Sequence, residues 1–308
     1  RILILYEKGI EMGTNVIAEV REQAHDANVA NKIIDSLKGL KQNSDDKSRC
    51  RWVWELIQNA KDVVNSTGGV DIRIDFSEQE RTLRFSHNGK PFTIQNIIFL
   101  IEQVSTKDRD EKSSRSTGKF GTGFMTTHLL SEKVMVSGAL QNKEDEIRKI
   151  ELEINRSEGT KKGIIEGNRK SFEQLQNGID NGEVVNDFEE QSFNTSFTYC
   201  LDQRGVAIAK EGLNSLSVSM PYVFMFVPEI RSISVIQYEW EFRRGRVRST
   251  QKDNIKVQEV VIKRNKEENI IYIASIQSEN VSVVTEVQRK ENSVWIKKFS
   301  EQLPRLFC

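Results

Sequence analysis

The chain has 308 residues, enough for about two domains with real cores. Lys plus Arg and Asp plus Glu both number 45, so a formal charge of zero gives no global electrostatic reason to expect nucleic acid or an anionic membrane as partner. No run of about 18 apolar residues and no signal-peptide pattern exists, and Cys50, Cys200 and Cys308 suggest neither a disulfide framework nor a metal site, which fits a reducing, cytoplasmic setting.

In chain order, Ile33, Ile34, Leu37 and Leu40 recur at helical spacing between Val29 and Lys41, and Asn43-Ser44-Asp45-Asp46 ends that helix. Arg51 to Val64 predicts the next helix, with Trp52, Leu56, Ala60 and Val63 as its buried stripe and Glu55, Asn59 and Asp62 on a neighbouring face. Val70 to Phe76 and Arg81 to Ser86 alternate like paired strands, and Thr93 to Val104 reads as a helix. Ser105 to Thr117 contains no apolar residue; such a segment cannot pack a core and is expected to form a mobile loop.

Phe120 to Leu130 returns to helix, and Lys133–Leu140 and Ile147–Ile154 to strand. Gly159 to Gly182 is polar and predicts one short helix, and Phe193 to Leu201 a further strand. After about Asn214 the pattern changes. Val218–Val227 is strongly apolar, Ile230–Tyr238 alternates, three strand-like runs follow at Ile255–Lys263, Ile270–Ile276 and Val281–Val287, and a helix is expected near Trp295–Gln302. The fold class is α/β, with residues 1–214 as one domain (1–28 being an N-terminal segment) and 215–308 as a smaller β-rich module. Arg1 and the apolar end Leu306-Phe307-Cys308 read as the limits of a piece cut from a longer protein.

Three stretches in a fixed order carry chemistry. They are Glu55-Leu56-Ile57-Gln58-Asn59-Ala60-Lys61-Asp62, then His87-Asn88-Gly89-Lys90-Pro91-Phe92, then Gly118-Lys119-Phe120-Gly121-Thr122-Gly123-Phe124. A carboxylate and an amide four residues apart share one helix face and can hold a water and a metal ion side by side. A glycine-bearing turn then follows a strand, and a second glycine cluster opens a helix whose free N–H groups can receive phosphate. Together they read as an ATP site built without a Walker loop.

Their order and spacing resemble the GHKL (Bergerat-fold) superfamily of gyrase, the ninety-kilodalton heat-shock chaperone, histidine kinases and mismatch-repair ATPases. The likeness spans roughly 32–201 and is nearest to the chaperone and to sacsin-like modules. The resemblance implies a two-layer α/β sandwich, helices on one side of a mostly antiparallel sheet, that binds ATP and Mg2+. It implies that Glu55 orients and deprotonates the attacking water, that Asn59 ligates magnesium, and that Asp62 lines the pocket. By the same resemblance Lys107, Gly118, Gly121 and Gly123 approach the phosphates, Phe124 packs against the nucleotide, and Thr195 helps anchor adenine through a water. Ser105–Thr117 would close as a lid, residues 215–308 stand where relatives carry a transducer, and an ATP-dependent homodimer is implied through the N-terminal segment, with a client or downstream domain beyond.

Two positions depart from the superfamily pattern. His87 stands where an Asp accepts the adenine amino hydrogen beside Gly89, and Pro91 replaces a second glycine. Neutral His87 is expected to accept that hydrogen, with affinity falling below roughly pH 6 as the imidazole protonates near its ordinary value of about 6.5. A non-hydrolysing nucleotide switch or scaffold and a DNA-handling ATPase remain as alternatives; some large bacterial relatives act in phage defence. His25-Asp26 reads as a surface histidine and His128 as structural.

Overall fold

The computed structural model describes residues 2–42, 46–103, 123–142, 146–249, 254–278, 281–290 and 293–298. Helix α1 (Ile2–Gln42) contains the expected helix from Val29 but begins far upstream of it. Its C-terminal half docks by Val29, Ala30, Ile33 and Leu37 onto Met125 and Ile164, whereas Val16, Ile17 and Val20 farther up are more than half exposed. A short α2 (Asp46–Arg49) leads into α3 (Arg51–Lys61). α4 (Ile94–Glu102) starts at a reciprocal capping box. The Thr93 hydroxyl accepts from the Asn96 N–H and the Asn96 side chain accepts from the Thr93 N–H, satisfying two donors at the helix start.

The strands are β1 (Val70–Ser77), β2 (Thr82–His87), β3 (Phe92–Thr93), β4 (Lys133–Gln141), β5 (Ile147–Asn155), β6 (Thr195–Cys200), β7 (Ile230–Val235), β8 (Trp240–Ser249), β9 (Ile255–Arg264), β10 (Glu267–Gln277), β11 (Ser282–Lys290) and β12 (Ser293–Ile296). Among the described residues they form one twelve-stranded, mostly antiparallel sheet in the order β12-β11-β10-β9-β8-β7-β1-β2-β6-β4-β3, with β5 on β4. Only the β1–β7 and β3–β4 pairings are parallel. The fold is therefore α/β with a mostly antiparallel sheet. Ile72, Ile74, Leu83, Phe85, Val134, Val136, Phe197 and Tyr199 build its core with Trp52 and Leu56 of α3.

Two further helices depart from expectation. α5 (Lys161–Asn181) is 21 residues long, not short, and is capped by the Thr160 hydroxyl. Its buried line of Ile164, Gly167, Asn168, Ser171, Leu175 and Gly178 is mostly small or polar, with Phe172 and Ile179 only partly buried beside it, so large apolar residues are sparse along the stripe. α6 (Gln203–Phe226) absorbs the apolar run from Val218, despite Pro221 in its interior. Proline lacks the N–H that would bond the Ser217 carbonyl, and the Arg264 guanidinium on β9 donates to that oxygen instead at 3.1 Å. The boundary expected at 214/215 falls inside α6, and β7 joins the sheet directly beside β1. α6 lies against the indole of Trp52, which donates to the Ile208 carbonyl at 3.1 Å.

Residues 293–296 are a strand where the helix was expected; Val294, Trp295 and Ile296 have the β-propensity to pair along an edge, and 299–302 lie outside the described residues. The helix expected at 120–130 is a 3-10 turn, Phe124–Leu129, and 120–122 lie outside the described residues. No described helix is long and apolar enough to cross a membrane.

Candidate functional site

α3 folds because Trp52, Val53, Leu56, Ile57 and Ala60 bury one face, and that packing fixes the azimuth of Glu55 and Asn59. The Glu55 carboxylate is 18% exposed and accepts from the Arg51 guanidinium one turn earlier at 3.2 Å. Gly123, at the start of the 3-10 turn, lies directly against it. A Cβ built on Gly123 would stand 2.0 Å from Glu55 Oε2, so only glycine allows this approach. Residues 68 positions apart in sequence thus meet at one carboxylate.

Asn59 is buried, and its Nδ2 has no partner. Asp62 caps the end of α3; Oδ1 pairs with Lys61 at 3.1 Å while Oδ2 is buried without a partner. The Thr195 hydroxyl on β6 is likewise buried and unpartnered. Buried polar atoms are hydrogen-bonded in the great majority of cases, so orphans on these residues point to a ligand or ordered water.

His87 ends β2 and stands opposite Thr195 in the β2–β6 ladder, which places both side chains on one face. It is almost fully buried, with its ring edge-on to Phe85 at 6.5 Å. The turn that follows is anchored beneath α3. The Lys90 N–H donates to the Val63 carbonyl at 2.8 Å, and a Cβ on Gly89 would come 2.5 Å from that same oxygen. Asn88 braces the turn from its other side by exchanging hydrogen bonds with Asp71. Sequence reasoning passed over Asn88 and Asp71; the Asn-Gly pair after a strand was the available signal, since it marks a turn whose backbone needs such bracing.

Two expectations for His87 are corrected here. The Gly89 N–H donates to His87 Nδ1 at 3.2 Å. A neutral imidazole has one acceptor nitrogen, and it is taken, so Nε2 carries the proton and cannot accept the adenine amino hydrogen. Burial also pushes the His87 pKa down to about 4, well below the value on which a loss of affinity under pH 6 rested.

Phe124 is buried, packed 5.5 Å from Phe197 and edge-on to His128 at 6.1 Å, so its ring belongs to the core. His128 is buried as well. Its Nδ1 donates to the Ser131 carbonyl at 3.3 Å, and its pKa falls to about 3 through burial first and the Arg156 guanidinium second, against the pull of that hydrogen bond. His25 meets Glu102 at 3.1 Å on the surface. Lys107, Gly118, Gly121 and the loop 105–117 lie outside the described residues. A cleft of about 380 Å3 between α1 and the turn at 128–133 is lined by Leu37, Leu40, His128 and Arg204, and by none of the described residues of the three motifs.

The structure therefore brings Glu55 to Gly123, His87 to Gly89 and Thr195, and the end of α3 to the Gly89 turn. The unpartnered Asn59 amide can turn its oxygen toward a hard cation, which takes such ligands together with water and phosphate oxygens. Among the described residues no group of three His, Cys, Asp or Glu could hold a metal by itself. A magnesium ion here would need the phosphates of a bound nucleotide for its other ligands. No protein-family model matches the chain, and no curated protein matches it.

Proposed function

We propose that this chain is a GHKL-type module that binds a magnesium–nucleoside triphosphate, ATP by the resemblance, and hydrolyses it slowly in a cytoplasmic setting. The sheet and its helices would then form the two-layer Bergerat sandwich. The observation that carries this reading is the contact of Gly123 with the Glu55 carboxylate, with the orphaned Asn59 amide one turn along the same helix. Glu55 would orient the attacking water and take its proton, and Asn59 would hold the metal, which neutralises phosphate charge. Closure of 105–117, an ATP-dependent homodimer through α1 and transmission to a client or downstream domain extend the proposal from the resemblance alone. Phosphate release by the purified chain with magnesium and nucleoside triphosphate tests it; no release together with no nucleotide binding would end it.

A non-hydrolysing switch is the second reading, favoured by the Arg51–Glu55 ion pair, because the guanidinium occupies a carboxylate oxygen that a water would otherwise need. Binding without release would select it.

Two variants probe the assembly. Asn59→Ala should remove the magnesium dependence of nucleotide affinity. A titration in which the variant keeps the parental difference between magnesium and chelator would remove Asn59 from the metal. In Gly123→Ala the new methyl group must displace the Glu55 carboxylate, so turnover should drop by about a hundredfold, the scale expected of a misplacement near 1 Å, while the fold persists. Parental turnover in that variant would show that the contact has no catalytic meaning.

A further inference from the structure

Resting on the nucleotide-site reading above, we propose that His87 makes this pocket select purines bearing an acceptor at the 6-position, guanine and hypoxanthine, over adenine. Where the superfamily uses a carboxylate, which only accepts, the hydrogen bond from the Gly89 N–H converts His87 into a donor. That N–H reaches Nδ1 at 3.2 Å, which leaves Nε2–H as the group the ring can offer to a ligand. Among the described residues Nε2 has no hydrogen-bond partner.

The tautomer is enforced by the backbone. Accepting the adenine amino hydrogen would require the proton to move to Nδ1, where it would face the Gly89 N–H, donor against donor. The turn cannot withdraw that N–H easily. Lys90 is bonded to the Val63 carbonyl at 2.8 Å, and Gly89 already lies so close to this oxygen that a Cβ would meet it at 2.5 Å. Phe85 and the surrounding burial hold the ring itself in place. An adenine 6-amino group at this position meets either Nε2–H or a disrupted turn. The 6-oxo group of guanine or hypoxanthine accepts from Nε2–H directly.

Thr195 does not restore the balance toward adenine. It stands opposite His87, and its orphaned hydroxyl can both donate and accept. It can serve the N1–H of guanine or hypoxanthine as readily as the bare N1 of adenine, so the discrimination falls to His87.

The test is equilibrium binding of the β,γ-imido triphosphates of guanosine, inosine, adenosine and purine riboside, each with magnesium, to the chain as it stands. Purine riboside carries nothing at the 6-position and separates the gain from an oxo group from the penalty on an amino group without any substitution. Guanosine and inosine forms should bind about tenfold more tightly than the adenosine form, the worth of one hydrogen bond made or lost. They should also bind more tightly than the purine riboside form. His87→Asp should reverse the preference to adenosine. Adenosine binding as tightly as inosine in the parent, or an unchanged order in folded His87→Asp, would overturn the proposal. If none of the four binds the parent, the nucleotide-site reading itself fails and this proposal goes with it; binding in the wrong order overturns this proposal alone.

Discussion

Replacing Glu55 with Ala or Gln is expected to lower turnover by at least about a hundredfold, the scale lost with a catalytic base, while nucleotide binding stays close to parental. The carboxylate lies directly against Gly123, at the point where the glycine motif meets α3. Its removal should cost little stability, because it pairs with Arg51, which is 60% exposed on the same helix, and i,i+4 helix pairs of this kind contribute only about 0.3–0.5 kcal/mol. Binding should survive because Asn59, His87 and Thr195 are untouched. Single-turnover phosphate release and equilibrium binding, measured on the same preparation, separate the two effects. Parental turnover in either variant would leave Glu55 without a catalytic role and would favour the non-hydrolysing reading only if turnover were absent in the parent too.

Acid should unfold the protein well above the range in which carboxylates alone would do so. His87 and His128 are both buried neutral, with pKa values near 4 and 3 against about 6.5 in an unfolded chain. A folded pKa below the unfolded one means that the unfolded state binds more protons in between. The stability these groups contribute is therefore fully present above pH 6.5 and is lost as pH falls from there toward 4. At about 1.4 kcal/mol for each pH unit across which the two states differ by one proton, both histidines together remove roughly 5 kcal/mol over that window. This is comparable to the whole stability of many domains. Denaturant midpoints at pH 7, 6, 5 and 4 measure it. His128→Asn should halve the slope even if it lowers the midpoint at pH 7. A midpoint independent of pH between 6.5 and 4 would show that neither imidazole is held neutral by the fold.

Much of the fold is legible in the sequence. Strands at Val70–Ser77, Lys133–Gln141 and Ile147–Asn155 follow from alternation over eight or nine residues. α3 follows from its apolar stripe, and the contrast between Glu55 and Asn59 on one side and Trp52 on the other follows from helical periodicity alone. α5 was not legible as a long helix, since the face it buries is built from Gly167, Asn168, Ser171 and Gly178, which pack by being small. The apolar run 218–227 likewise gave no sign that it would end a helix carrying a proline, because the compensating donor, Arg264, lies on a strand more than forty residues away.

By itself the sequence determined which residue types stand in which order: a carboxylate and an amide on one helix face, a glycine turn after a strand, and a glycine cluster with Gly123 at its end. Only the tertiary structure decided what those groups can do. Sequence periodicity places side chains on a face but says nothing of which backbone atom will come against them. That Gly123 touches Glu55 depends on how the 3-10 turn packs on α3. That His87 donates rather than accepts depends on the Gly89 N–H, in a turn whose next residue, Lys90, is bonded to the Val63 carbonyl just past α3. A hydrogen-bonding role is set by the neighbour that has already claimed one side of the ring, and that neighbour is chosen by the fold.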